Sequence, residues 1–263
     1  HHCLLNLQHF LENPSQFLEE HAQLPGISFA NIPEIEFKNT LGPYLEKVLG
    51  VLDSFYDCKM LQQCCPTPKQ PMKGNISRWA MQILECTERL QILKHILPGI
   101  DSFPGNFTCN PPKVCQELTI KSVEHEAHST GYYLPAGETL IVHTKSNPLP
   151  AGWKIRIGCH SDKLDGLDEI RRWPQIVEYS QIQKSEVKVH SPFGGLVYLE
   201  SPNEQSEIDV CIENVVEAPI FISTDPECIS TWATRKNAPG LWADIIGEHI
   251  RITLPSSSVR LVE

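Results

Sequence analysis

The chain has 263 residues, 41% of them apolar and 21% charged, with a formal net charge of −10. That length allows one or two domains and the apolar share is enough for a packed core. The acidic balance, with no run dominated by Lys and Arg, excludes general nucleic-acid binding, and no apolar run approaches the ~20 residues of a membrane-spanning helix.

The chain opens His1-His2-Cys3 without a methionine, which reads as a fragment, so missing targeting signals carry little about the parent protein. The first elements have helical spacing. Leu4, Leu5, Leu7, Phe10 and Leu11 form one stripe, interrupted by Asn13-Pro14-Ser15, and Ser15 caps a short second helix. Tyr44, Val48, Val51, Leu52 and Phe55 share one face of a helix predicted over 41–62, which Cys65-Pro66-Thr67-Pro68 ends. Asn75 is read as the N-cap of a helix over 76–97, with Trp79, Ile83, Cys86, Leu90 and Leu93 as its stripe, and Leu97-Pro98-Gly99 stops it. Residues 99–116, rich in Pro, Gly and Asn, read as a linker.

From about residue 115 the period switches to two. Strands are predicted at Cys115–Val123, Thr139–Thr144, Trp153–Cys159, Gln175–Tyr179, Glu186–Val189, Leu196–Ser201, Ile208–Glu213 and His249–Leu254, with one helical piece around Ser230–Asn237. Short strands separated by polar turns indicate a β-sandwich. The expected fold class is therefore α+β by segregated halves: an N-terminal helical region, 1–108, followed by an antiparallel β-sandwich, 117–263.

Ten cysteines and two glycosylation sequons, Asn75-Ile76-Ser77 and Asn106-Phe107-Thr108, are compatible with secretion. The cysteine spacings match no disulfide framework, and a chain of this size builds a core without staples. Cys109 and Cys115 bracket a five-residue stretch that suits a local disulfide better than a zinc half-site, whose cysteines stand closer in sequence.

His125-Glu126-Ala127-His128 falls one residue short of the H-E-x-x-H pattern that places two imidazoles on one helix face beside a metal-bound water. In a strand, odd separation sends the two rings to opposite faces. The same parity splits Cys159 from His160: Cys159 continues the apolar row Trp153, Ile155, Ile157, and His160 faces away with Asp162, which reads as a turn carboxylate. The acidic run Asp165, Asp168, Glu169 lacks calcium-loop spacing, and Trp173, Trp232 and Trp242 sit among apolar neighbours and read as core. No G-x-S-x-G, P-loop or G-x-G-x-x-G is present, so no residue is assigned as catalytic, cofactor-binding or metal-ligating.

Six segments in order, "GYYLPAGETLIV" (131–142), "GWKIRIGCHSDKL" (152–164), "RRWPQIVEY" (171–179), "SPFGGLVYLESP" (191–202), "EAPIFI" (217–222) and "NAPGLWADIIGEHIRITLPSSSVR" (237–260), resemble the first part of the enhancin-like, mucin-targeting zinc metallopeptidase domain, most closely the animal TRP-channel-associated factors. The positions that carry the resemblance are Gly131, Tyr133, Leu134, Pro135, Gly158, His160, Asp162, Gly194, Gly195, Pro239 and Trp242. The resemblance implies a non-catalytic interaction module that binds and regulates a plasma-membrane cation channel through its cytosolic region. It also implies that this chain holds no cofactor and is not itself an enzyme, since the family's zinc motif lies C-terminal to the β-sandwich. The compartment it implies is cytoplasmic, membrane-associated through a partner. Two other expectations stay open: an accessory sandwich of a secreted peptidase acting on mucin or another glycoprotein, and a purely structural support.

Overall fold

The computed structural model describes residues 65–73, 81, 96–97, 99–122, 124–162, 164 and 166–261. Its elements in chain order are β1 (Met72–Lys73), β2 (Val114–Ser122), β3 (Ala127–Leu134), β4 (Glu138–Thr144), β5 (Lys154–Ile157), β6 (Glu169–Ile170), β7 (Glu178–Gln181), β8 (Glu186–Ser191), β9 (Gly195–Glu200), β10 (Ser206–Glu217), β11 (Ile220–Ile222), α1 (Pro226–Arg235), β12 (Trp242–Ile246), β13 (Arg251–Pro255) and α2 (Ser256–Arg260). The chain divides into two compact units, one of His1–Phe103 with Lys163–Pro174 and one of Pro104–Asp162 with Gln175–Glu263.

In the first unit, β1 pairs antiparallel with β6, Met72 opposite Ile170. Both are buried, as are Leu97, Ile100 and Trp173. Arg172 lies over the Phe103 ring at 4.5 Å.

The second unit follows from alternation. Along β2 every other residue is exposed, and on β10 Ile208, Val210 and Ile212 are buried while Asp209, Cys211 and Glu213 are not. Residues at i and i+2 share a face, so each strand presents one apolar row to the core. The main sheet runs β7-β5-β9-β3-β10-β4-β8, with β2 also on β10. The first part of β10 pairs with β2 and β4, and its end pairs with β3. Asn214, at φ 66, marks the bulge where the β2 register slips between Glu213 and Val215. Such a bulge bends the strand, which lets one 12-residue strand serve two layers. The terminal strands β7 and β8 meet, so the sandwich curls toward a barrel. Its core joins Leu140, Trp153, Ile155, Val197, Val210 and Ile212, among others. Full burial of an aliphatic side chain of this kind contributes about 1.5–3 kcal/mol. The polar edge of Trp153 is satisfied: its Nε1 donates to Ser206 Oγ at 2.9 Å.

The remaining strands form a separate sheet, β11-β12-β13. β11 and β12 are parallel and β12 and β13 antiparallel. Parallel neighbours need a crossover, and α1 supplies it. Asp225 starts the helix: its carboxylate accepts from Glu227 N at 2.9 Å, and Pro226 occupies the first turn, where no backbone donor is lost. Asp225→Ala is expected to destabilise this unit by about 1 kcal/mol, read as a lowered midpoint in denaturant titration with an unchanged slope.

The expected class of segregated helical and β halves is not what the structure has. Among the described residues before 226 only Met81 is helical, and the helices α1 and α2 lie in the C-terminal part. The stripes predicted over 4–20 and 41–62, and nearly all of 76–97, lie outside the described residues. Residues 65–73, between those spans, are turn and strand. Pro66, Pro68 and Pro71 deny a helix its backbone donors, and the next two residues pair as β1. The sandwich strands pair antiparallel as expected, while the separate C-terminal sheet carries one parallel pair, β11–β12. Among the described residues no helix is long and apolar enough to cross a membrane.

Candidate functional site

The family-like positions come together in space, and they do so as packing. Gly158 (φ 85) ends β5 and Gly195 (φ 144) begins β9, and each lies where only glycine fits. A Cβ on Gly158 would lie 2.4 Å from the Ile176 carbonyl oxygen; one on Gly195 would lie 2.6 Å from Gly158 Cα. Gly158 N donates to Leu196 O at 2.8 Å, and Arg156 Nε donates to Gly158 O at 3.2 Å. Gly194 closes on the Leu134–Ala136 backbone, where its added Cβ would meet Leu134 O at 2.4 Å. Leu134 is buried in the main core and Tyr133 in a second cluster with Leu196, Tyr198 and Val216. Pro135 O accepts from Glu138 N in the turn to β4, and Gly131 O accepts from Ala218 N. Pro239 sits half-buried in the connection from α1 to β12. The carbonyls on either side of it, Ala238 O and Gly240 O, accept from Arg260 Nη2 at 2.7 and 3.3 Å.

The Cys159-His160-Ser161-Asp162 stretch departs from the alternation expected of it. The strand stops at Ile157, because Gly158 turns the backbone. Cys159 therefore leaves the Trp153, Ile155, Ile157 row and packs on the Tyr133–Tyr198 cluster instead. Its Sγ lies 3.2 Å from His160 Nδ1, so the two side chains meet where parity predicted opposite faces. The pair is unsuited to nucleophilic chemistry. Burial, with Asp244 adding to it, pushes the Cys159 thiol up to about 12, so it stays protonated at neutral pH. His160 packs edge-on to Trp242 at 4.5 Å, and Trp242 Nε1 donates to Pro104 O at 2.7 Å. Asp162 is half-buried and follows the bridge between Ser161 and Gln175.

A buried polar network joins the two sheets. Asp244 on β12 is fully buried, and its Oδ1 accepts from Tyr198 Oη at 3.2 Å and from Thr253 Oγ1 at 2.6 Å. The guanidinium groups of Arg156 and Arg251 lie 4.5 and 4.7 Å from the Tyr198 ring centroid. Arg156 also pairs with Glu200 at 3.1 Å, and Arg251 donates to Ala127 O. Burial, then Asp244, raises the Tyr198 phenol above its ordinary range, so it remains a donor.

The histidines of His125-Glu126-Ala127-His128 do not fit a peptidase-type zinc centre. His125 Nδ1 donates to Ser201 O at 2.7 Å, while the His128 ring lies 6.1 Å from Trp153. Burial lowers the His128 pKa.

A different cluster lies on the outer face of β2, β10, β4 and β8. Cys211 and Glu213 are two apart on β10; Cys115 on β2 stands opposite Glu213, and His143 on β4 opposite Cys211. Cys115 Sγ and Cys211 Sγ are 2.8 Å apart. His143 Nε2 is 3.2 Å from Glu213 Oε1, and its Nδ1 is 3.7 Å from Glu186. Around them, Lys145 pairs with Glu117, Lys121 with Glu207 and Lys113 with Glu138, so the face is solvated and salt-bridged. The local Cys109–Cys115 disulfide is not formed; both are free, and Cys115 faces Cys211 instead. Alternation alone places Cys115 and Cys211 outward, but their pairing across 96 residues has no local signal.

Residues 110–213 match the N-terminal domain of M60-like peptidases. A TRPM8 channel-associated factor homolog of Xenopus laevis is 31% identical over 135 residues, covering 50% of this chain and 15% of that protein. TRPM8 channel-associated factor 1 of Homo sapiens is 27% identical over 138 residues, covering 51% and 15%. Among solved structures, the IMPa metallopeptidase from Pseudomonas aeruginosa aligns with a TM-score of 0.47 at 14% identity, covering 84% of this chain and 29% of that one. The chain thus spans a small part of the length of the curated relatives it matches. Residues 110–213, less than half of the chain, thus match the N-terminal domain of M60-like peptidases, and about half of the chain is similar to the TRPM8 channel-associated factors.

Proposed function

We propose that this chain is a non-catalytic interaction module that binds the cytosolic region of a plasma-membrane cation channel and regulates it. The observation that carries this reading is its similarity to the TRPM8 channel-associated factors over 135 residues. The geometry supports it from the other side. The glycines, Tyr133 and Leu134 of the family-like segments are used for backbone closure and core packing, and Cys159 carries a thiol too basic for nucleophilic work. In this reading the protein is cytoplasmic and reaches the membrane through its partner.

The match to an M60-like peptidase N-terminal domain favours a second reading, in which the module supports a catalytic half that acts on glycoproteins. Capture separates the two. The immobilised chain is expected to retain the channel's purified cytosolic region, with a signal that saturates. Retention of a mucin glycopeptide, with no capture of the channel region, would overturn the first reading in favour of the second. Retention of neither leaves a purely structural role.

A further inference from the structure

We propose that Cys115, Cys211 and Glu213 form a binding site for a thiophilic divalent cation of the zinc class on the outer face of β2 and β10, with His143 positioning Glu213. Two ligands come from i and i+2 of one strand and the third from the strand beside it, which aims all three at one point above the sheet. The two sulfurs and a Glu213 carboxylate oxygen all lie within 4.8 Å of one another, the one such group among the described residues. A tetrahedral zinc with Zn–S about 2.3 Å and Zn–O about 2.1 Å sets its ligands roughly 3.5–3.8 Å apart. The sulfurs, at 2.8 Å, need part by only about 1 Å, within reach of exposed or half-buried side chains that can shift their torsions.

Three further features fit a cation. Thiolates select zinc-class ions over magnesium and calcium. Ligating carboxylates are normally held by a hydrogen-bonding partner, and His143, oriented in turn by Glu186, stands 3.2 Å from Glu213. Three protein ligands on a solvent-facing sheet leave a fourth position for water. Lys145, held by Glu117, lies close enough to both thiols to offset part of the negative charge of the ligand set. Each thiol gives up its proton to bind. The site shares no residue with His125, His128 or Cys159, and it departs from the expectation that this chain holds no metal.

The test uses the whole chain, reduced, with zinc alone and with cobalt as a spectroscopic probe. One zinc per chain is expected in equilibrium dialysis, and the cobalt form should show sulfur-to-metal charge transfer that is lost in Cys115→Ser and in Cys211→Ser. His143→Ala is expected to weaken binding by about tenfold or more while leaving the stoichiometry at one. In the unaltered chain, zinc should protect the Cys115 and Cys211 peptides from alkylation, while Cys109 stays reactive; this readout needs no variant to fold. Absence of stoichiometric zinc overturns the site. So does zinc retained in the Cys115→Ser/Cys211→Ser double variant. An intramolecular disulfide between the two sulfurs that persists under reducing conditions also overturns it.

Discussion

Alanine at Gly158 is expected to cost the β-unit about 3–5 kcal/mol, against a domain stability of roughly 5–15 kcal/mol. Two effects add. At φ 85 an L side chain is strained, which costs about 1–3 kcal/mol. The new Cβ also sits 2.4 Å from a backbone oxygen, Ile176 O, and no flexible side chain can move aside. Relieving that clash means displacing backbone, which costs about 1–3 kcal/mol more. In a unit of this size each kcal/mol lowers the midpoint by about 2–4 °C, so a fall of roughly 10 °C or more should appear in a thermal melt. Gly166→Ala is the control: nothing lies within 4 Å of its would-be Cβ, so its midpoint should barely move. Equal effects in the two variants would mean that the crossing of β5 and β9 is not as close as described.

Asp244→Ala should lose about 3–5 kcal/mol. The substitution strands the Tyr198 phenol and the Thr253 hydroxyl, which both donate to Asp244 Oδ1. A buried donor left without its partner carries its full desolvation cost. Tyr198→Phe alone should cost about 1 kcal/mol, since Asp244 Oδ1 keeps its bond from Thr253 Oγ1. In the double variant the losses should fall short of additive by about 1–2 kcal/mol. Strict additivity would show that the two side chains are not coupled. Hydrogen exchange should report the loss in β12 and β13 first, because this network is what ties them to β9.

The legible part of the fold was local. Alternation placed Trp153, Ile155 and Ile157 in one apolar row, and all three are buried. Asp225-Pro226 is a helix-start signal, and the helix begins there, four residues before the expected piece around Ser230–Asn237. β3 was not among the expected strands: Gly131 at φ 75 interrupts it, yet six of its eight residues, Ala127–Ser129 and Tyr132–Leu134, pair with β9 or β10. β12 was missed for a similar reason: Trp242–Ile246 has no clean alternation, since the strand lies between two others and buries Asp244 in a polar network. At 65–73, where Pro66 and Pro68 were expected to end a helix, the chain is turn and strand, and the spans expected to be helical on either side lie almost wholly outside the described residues.

By itself, the sequence determined the strand-rich second half, the outward parity of Cys115, Cys211 and Glu213, and the series of segments that carries the family. These depend on residues one to four apart, where backbone geometry is enough. Tertiary structure alone decided that Gly158 meets Gly195, that Cys159 turns from one core cluster to another and touches His160, and that Cys115 meets Cys211 beside Glu213 and His143. Each of these depends on which strands pair and in what register. That choice is made by burying several apolar rows at once, and no single stretch of the chain contains it.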